Sequence, residues 1–145
     1  MKNSVMFSGM KTMLPESWID VTDDLPDGSP ITLAKPDGIG ALQFTFAKYQ
    51  AGALPEVGVD DLHKLLVKFA KSRDLGNLPD VQHGCGLHPY VVSDFRGAGE
   101  LVRVWYLSNS KDVVLITYVT QQPDSKEVHD ELRDATKIVE SLDFS

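Results

Sequence analysis

Histidine and cysteine come together once in this chain, in His83-Gly84-Cys85-Gly86-Leu87-His88. Two imidazoles and a thiolate are zinc ligands, and the glycines between them would let a loop curl round an ion. A closed zinc site takes four ligands, so His63, His129 or a carboxylate would have to arrive from elsewhere to complete it. Cys85 beside either imidazole could also act as a nucleophile through a lowered pKa. No family signature surrounds it, and no orienting Asn or Asp is identifiable. The favoured reading is a glycine-shaped loop in which Cys85 packs as a small hydrophobe. The purified protein is expected to hold no metal and no cofactor.

Asp20, Asp23, Asp24 and Asp27 crowd a second stretch, which also contains Pro26, Gly28 and Pro30. Calcium binding by an EF-hand would require that loop's spacing and its terminal bidentate Glu, and both are missing. Carboxylates on a solvated loop can instead pair with Arg or Lys of an approaching protein and steer it. Asp23 and Asp24 are therefore candidate partner-binding residues. Tyr106 is a third, as an aromatic anchor: it follows Trp105 along one strand and so points to the opposite face. Trp18 and Trp105 themselves read as core aromatics. Gly38-Ile39-Gly40 is followed by no helix and Gly97-Ala98-Gly99 lies in a hairpin, so neither has the order of a phosphate-binding loop.

The elements that must position these residues belong to one domain spanning 1–145, the usual size for a single hydrophobic core. With 42% hydrophobic and 24% charged residues, the composition is that of an ordinary globular protein. A formal charge of -7 argues against a nucleic-acid binder, since phosphate affinity comes from clustered Lys and Arg. It suits a basic protein partner, or simply maintains solubility. One cysteine excludes an internal disulfide framework. The start of the chain lacks a sustained apolar run, and Lys11 interrupts what there is, so a cleaved export signal is not expected and the location is read as cytoplasmic. No apolar stretch approaches the roughly 20 residues that cross a bilayer.

Residues 31–34 and 41–49 read as strands joined through Lys35-Pro36-Asp37-Gly38, where Pro presets a turn and Gly tolerates positive φ. In the second, Leu42, Phe44 and Phe46 share one side. Gln43, Thr45 and Ala47 take the other, a more polar face that belongs near an edge or opening. Leu62, Leu65, Leu66 and Phe69 have helical spacing within residues 59–73, with a stop near Gly76. Residues 76–87, with Pro79, Gly84 and Gly86, read as a surface loop. Strands over 89–95, 101–107 and 113–120 follow as an antiparallel meander. The last is apolar on both sides and demands cover on both. A final helix begins near Pro123, with Asp124 as cap and Glu127 reaching back. Its core stripe is read as Val128, Leu132, Ala135, Val139 and Leu142, with Lys126, Glu127, Asp130, Glu131 and Arg133 solvated. The fold class is α+β: a mostly antiparallel β-sheet flanked by helices on both faces.

This order of elements resembles the PsbP-like superfamily, which also holds the Ran-binding Mog proteins and many small bacterial proteins of secretion loci. The resemblance spans nearly the whole chain. It rests on Leu14-Pro15 with Trp18-Ile19-Asp20, the strand over 41–49, Trp105, Thr117-Tyr118 and Ile138-Val139-Glu140-Ser141-Leu142-Asp143-Phe144. It implies a PsbP-like α/β/α sandwich and a binding protein, not an enzyme. The small bacterial members imply a cytoplasmic immunity protein that occludes a cognate secreted toxin. The alternative they imply is an adaptor chaperone that loads a type VI secretion effector and exposes a broad hydrophobic groove. A Cys- or metal-dependent enzyme ranks third.

Overall fold

The computed structural model describes residues 3–7, 10–15, 17–48, 59–73, 81–97, 99–109 and 112–144, with no side-chain description for 3–7, 46–48, 59 and 112. Tyr49, Gly76, Pro79 and the hairpin residues Ser110 and Lys111 lie outside this set, as does the Phe46 side chain. In chain order the elements are β1 (Asn3–Phe7), β2 (Met10–Leu14), β3 (Ile19–Asp20), a 3-10 turn (Thr22–Asp24), β4 (Ile31–Ala34) and β5 (Gly40–Lys48). Then come α1 (Val59–Ser72), β6 (Gln82–Cys85), β7 (Pro89–Gly97), β8 (Glu100–Ser108), β9 (Asp112–Thr120), α2 (Glu127–Ser141) and β10 (Asp143–Phe144).

Seven strands form the central sheet in the order β3-β4-β5-β9-β8-β7-β6. Every neighbouring pair is antiparallel. The chain leaves β5, passes through α1 to the far edge, and returns by the meander β6 to β9, whose last strand docks against β5. The two-sided apolar pattern of β9 is satisfied as expected, and β8 shares it. Trp105, Leu107, Ile116 and Tyr118 enter one core cluster, and Val104, Tyr106 and Val113 enter another on the opposite face.

α1 buries Leu62, Leu66, Phe69 and Ala70 against the second cluster, a stripe at the i, i+4, i+7, i+8 spacing of one helix face. α2 covers the first cluster together with a three-stranded sheet, β1-β2-β10. This small sheet was not anticipated, although Met10, Thr12 and Leu14 are buried in strict alternation with exposed Lys11 and Met13. Thr12 ties β2 to α2, its hydroxyl donating to the Ile138 carbonyl at 2.9 Å.

The structure corrects the sequence reading of several of these elements. Residues 82–85 form a strand paired with β7, not a loop. Gly84 reads as a breaker but serves close approach, since any Cβ there would collide with the ring of Tyr90. Asp124 does not cap α2; Ser125 accepts the Glu127 N–H at 3.4 Å, and its hydroxyl also bonds the Glu127 carboxylate. Leu132 is only partly buried, and Ile138 is a fully buried member of the stripe. Glu131, read as solvated, is 1% exposed.

Candidate functional site

The packing of α1 concentrates on β7 and β8, so the same face of the sheet over β9, β5 and β4 is only partly covered. Two adjoining hollows open there and share Gln43 and Val119. The larger, about 600 Å³, has Ala34 and Ala41 in its floor and the β4–β5 turn, Lys35 with Gly38 to Gly40, as its wall. The smaller, about 320 Å³, lies between the C-terminal end of α1 and a floor of Val102, Thr117 and Val119.

Strand alternation produces this surface. Leu42 and Phe44 go into the core on one side of β5, while Ala41 and Gln43 stay partly exposed and Thr45 exposed on the other. Register sets Gln43 opposite Thr117 and Ala41 opposite Val119, and Val119 in turn opposite Val102. The face is therefore a small-residue apolar floor carrying amide and hydroxyl groups, as the polar side of this strand leads one to expect.

A chain of hydrogen bonds links that floor to the acidic edge of the sheet. Gln43 Nε2 donates to Thr32 Oγ1 at 3.3 Å, and the Thr32 N–H donates to Thr22 Oγ1 at 2.9 Å. Asp20 Oδ1 accepts from the Thr22 N–H at 2.9 Å and from its hydroxyl at 2.5 Å. Asp20 thus pins the 3-10 turn that presents Asp23 and Asp24. Both are exposed, on the turn between the edge strand β3 and β4. Asp27 is exposed too, and the four carboxylates make no metal-capable cluster among the described residues.

Glu131 anchors the wall of the larger hollow from behind. Its carboxylate accepts the Ile39 N–H at 2.9 Å, the Gly40 N–H at 3.2 Å and the Tyr118 hydroxyl at 2.8 Å. Burial and this carboxylate both push the Tyr118 phenol up, which keeps it a proton donor. Gly38 is needed for the approach, because a Cβ there would lie 2.8 Å from Glu131 Oε2. The signal for Glu131 was present in the chain: it stands three residues after Val128 and four before Ala135, inside the buried stripe.

The remaining candidates fall elsewhere. Tyr106 is 8% exposed, packed beneath α1, and burial raises its pKa. It is a core residue in this structure, not an exposed anchor, because α1 settles on the very face of β8 that Tyr106 occupies. Trp18 and Trp105 are buried as expected, with Trp18 Nε1 donating to Asp134 Oδ2 at 3.1 Å. His83 and Cys85 are exposed on β6, so Cys85 does not pack as the small hydrophobe expected of it, and its thiol contacts the Gly86 carbonyl at 3.4 Å. His88 points away from them, its ring 4.6 Å from that of Phe144 and its Nε2 3.9 Å from Asp143. The glycine loop wraps the end of α2: the Leu87 N–H donates to the Glu140 carbonyl at 3.0 Å and the Tyr90 hydroxyl to the Glu140 carboxylate at 2.7 Å.

A separate cleft of about 360 Å³ opens on the α2 side, among Gln82, Tyr90, Arg103, Trp105 and Thr136. Its guanidinium is already spoken for. Arg103 Nε and Nη2 donate to the two Asp94 oxygens at 2.5 and 2.9 Å, a cross-strand pair in register.

No model of a known protein family matches the chain, and no curated protein matches it. Solved structures do. The solution structure of the cyanobacterial PsbP protein CyanoP, from Synechocystis sp. PCC 6803, superposes with a TM-score of 0.61 at 13% identity, over 100% of this chain and 92% of that one. The fold is PsbP-like. A Bacteroides thetaiotaomicron protein gives the same TM-score at 13% identity, and 94% of this chain spans only 45% of its length. LpqN, involved in cell envelope biogenesis of Mycobacterium tuberculosis, gives 0.50 at 16% identity over 98% of this chain and 89% of its own. At such identities the likeness is one of PsbP-like architecture alone.

Proposed function

We propose that this PsbP-like domain is a protein-binding module, an immunity protein that occludes a cognate secreted toxin in the cytoplasm. The observation that carries the reading is the partly covered sheet face over β9, β5 and β4, linked through Gln43, Thr32 and Thr22 to the exposed acidic turn. An apolar floor dotted with hydrogen-bonding groups and bordered by solvated charge has the anatomy of a non-obligate interface. Asp23 and Asp24 on that turn steer a basic partner, and the floor holds it. The composition of the face weighs against the adaptor-chaperone alternative. Gln43, Thr45, Thr117, Gln121 and Gln122 interrupt the broad apolar groove that a transmembrane segment would require.

Co-expression with the toxin encoded beside this gene tests the reading. The expected result is survival of cells that carry both proteins, and a complex of the two on purification. Equal killing with and without this protein, and no binding in vitro, would end the immunity reading for that pair. A cytoplasmic encounter also requires a toxin with a cytosolic target, such as a nucleic acid, a nucleotide or a cytosolic protein.

A further inference from the structure

The smaller hollow carries two opposite charges that do not meet. Arg73 enters from the C-terminal end of α1 and Glu100 from the start of β8, both lining the same 320 Å³ space. Arg73 is exposed, and its guanidinium lies 4.9 Å from the Phe69 ring centre. Stacking orients the planar group and leaves its N–H edges free for an acceptor. Among the described residues neither Arg73 nor Glu100 forms an ion pair. Between them lie the apolar Phe69, Val102 and Val119, and the floor also offers the Thr117 hydroxyl and the Gln43 amide. Gln43 already donates through Nε2 to Thr32, so its carbonyl oxygen remains to accept.

We propose that this hollow binds a free α-amino acid with an aliphatic side chain. The carboxylate pairs with Arg73, the ammonium pairs with Glu100, and the side chain lies on Val102 and Val119. A ligand bearing both charges on one carbon can satisfy both groups, and a cation or an anion alone satisfies one. The volume lies within the range of small-molecule sites. The site stands on the geometry of this hollow alone, although the hollow lies within the face that the immunity reading gives to the partner.

The test is a titration of the isotope-labelled full chain with L-leucine, L-leucinamide and N-acetyl-L-leucine, followed by amide resonances. L-leucine is expected to give saturable shifts centred on Gln43, Val102, Thr117 and Val119, with each capped analogue binding at least about tenfold more weakly. Arg73→Gln should weaken L-leucine about tenfold and abolish its advantage over L-leucinamide, and Glu100→Gln should abolish its advantage over N-acetyl-L-leucine. Both side chains lie at the surface or partly exposed, so the variants keep the fold, and their unchanged spectra away from the hollow confirm it. No saturation by millimolar L-leucine, shifts centred elsewhere, or equal binding of the capped analogues would each overturn the proposal.

Discussion

The two faces of the central sheet are built from the same strands and finished differently. On the α2 side, Leu33, Leu42, Phe44, Trp105, Ile116 and Tyr118 are buried, and the Tyr118 hydroxyl among them is paired with Glu131. On the α1 side the helix packs chiefly over β7 and β8, and Val102 of β8 with alternate residues of the same β5 and β9 stay partly in solvent. One face is therefore the stabilising core and the other is divided between core and surface. The lesson is that residues one position apart along a strand belong to different energetic regimes. Substitution should separate them.

The largest expected loss is at Glu131. Glu131→Ala removes the acceptor of two partly buried N–H groups and of the buried Tyr118 hydroxyl, and the domain should lose about 3 to 5 kcal/mol in denaturant unfolding. A loss below about 1 kcal/mol, the net scale of one ordinary hydrogen bond, would show that the clasp is not structural. Next, Ile138→Ala should cost about 2 to 4 kcal/mol, as large-to-small core changes do, and Leu132→Ala about half as much, because Leu132 is only partly buried. The reverse order would restore the stripe drawn through Leu132.

A smaller effect concerns alkali. Burial and the bond to Glu140 push the Tyr90 phenol up to about 12. An unfolded tyrosine ionises near 10, so the folded state binds the proton more tightly. The stability that this represents is complete below about pH 10 and is lost as pH rises towards 12. Tyr90→Phe should flatten that part of the stability curve. An unchanged alkaline limb would place the Tyr90 hydroxyl in solvent.

Much of this architecture was legible in the chain, and the failures have physical causes. β4 and α1 are where turn chemistry and helical periodicity put them, α2 begins at Glu127 and not near Pro123, and the two-sided β9 correctly implied two covering layers. β6 was lost because Gly84 carries a breaker signal, whereas its glycine answers to the Tyr90 ring on the neighbouring strand. Glu131 was misassigned because a carboxylate suggests solvent, while its acceptor role depends on N–H groups some 90 residues earlier in the chain. For the site, the polar side of β5 announced an opening. Which residues face it depends on where α1 comes to rest, and that same placement buries Tyr106.

The smallest expected effect is at the acidic turn. Asp23→Asn with Asp24→Asn should leave stability within about 0.5 kcal/mol, slow association with the partner, reduce its salt dependence and spare the dissociation rate. Dissociation that accelerates as strongly as association slows would move these carboxylates from the rim into the buried centre of the interface.

The central claim, that the open half of the α1-side face receives the partner, is tested most directly by placing two arginines in it. The double variant Gln43→Arg with Thr117→Arg should melt like the parent and bind the cognate toxin at least about 100-fold more weakly, a loss of about 2.7 kcal/mol. Unchanged toxin affinity in this correctly folded variant would contradict the account and place the interface elsewhere on the domain.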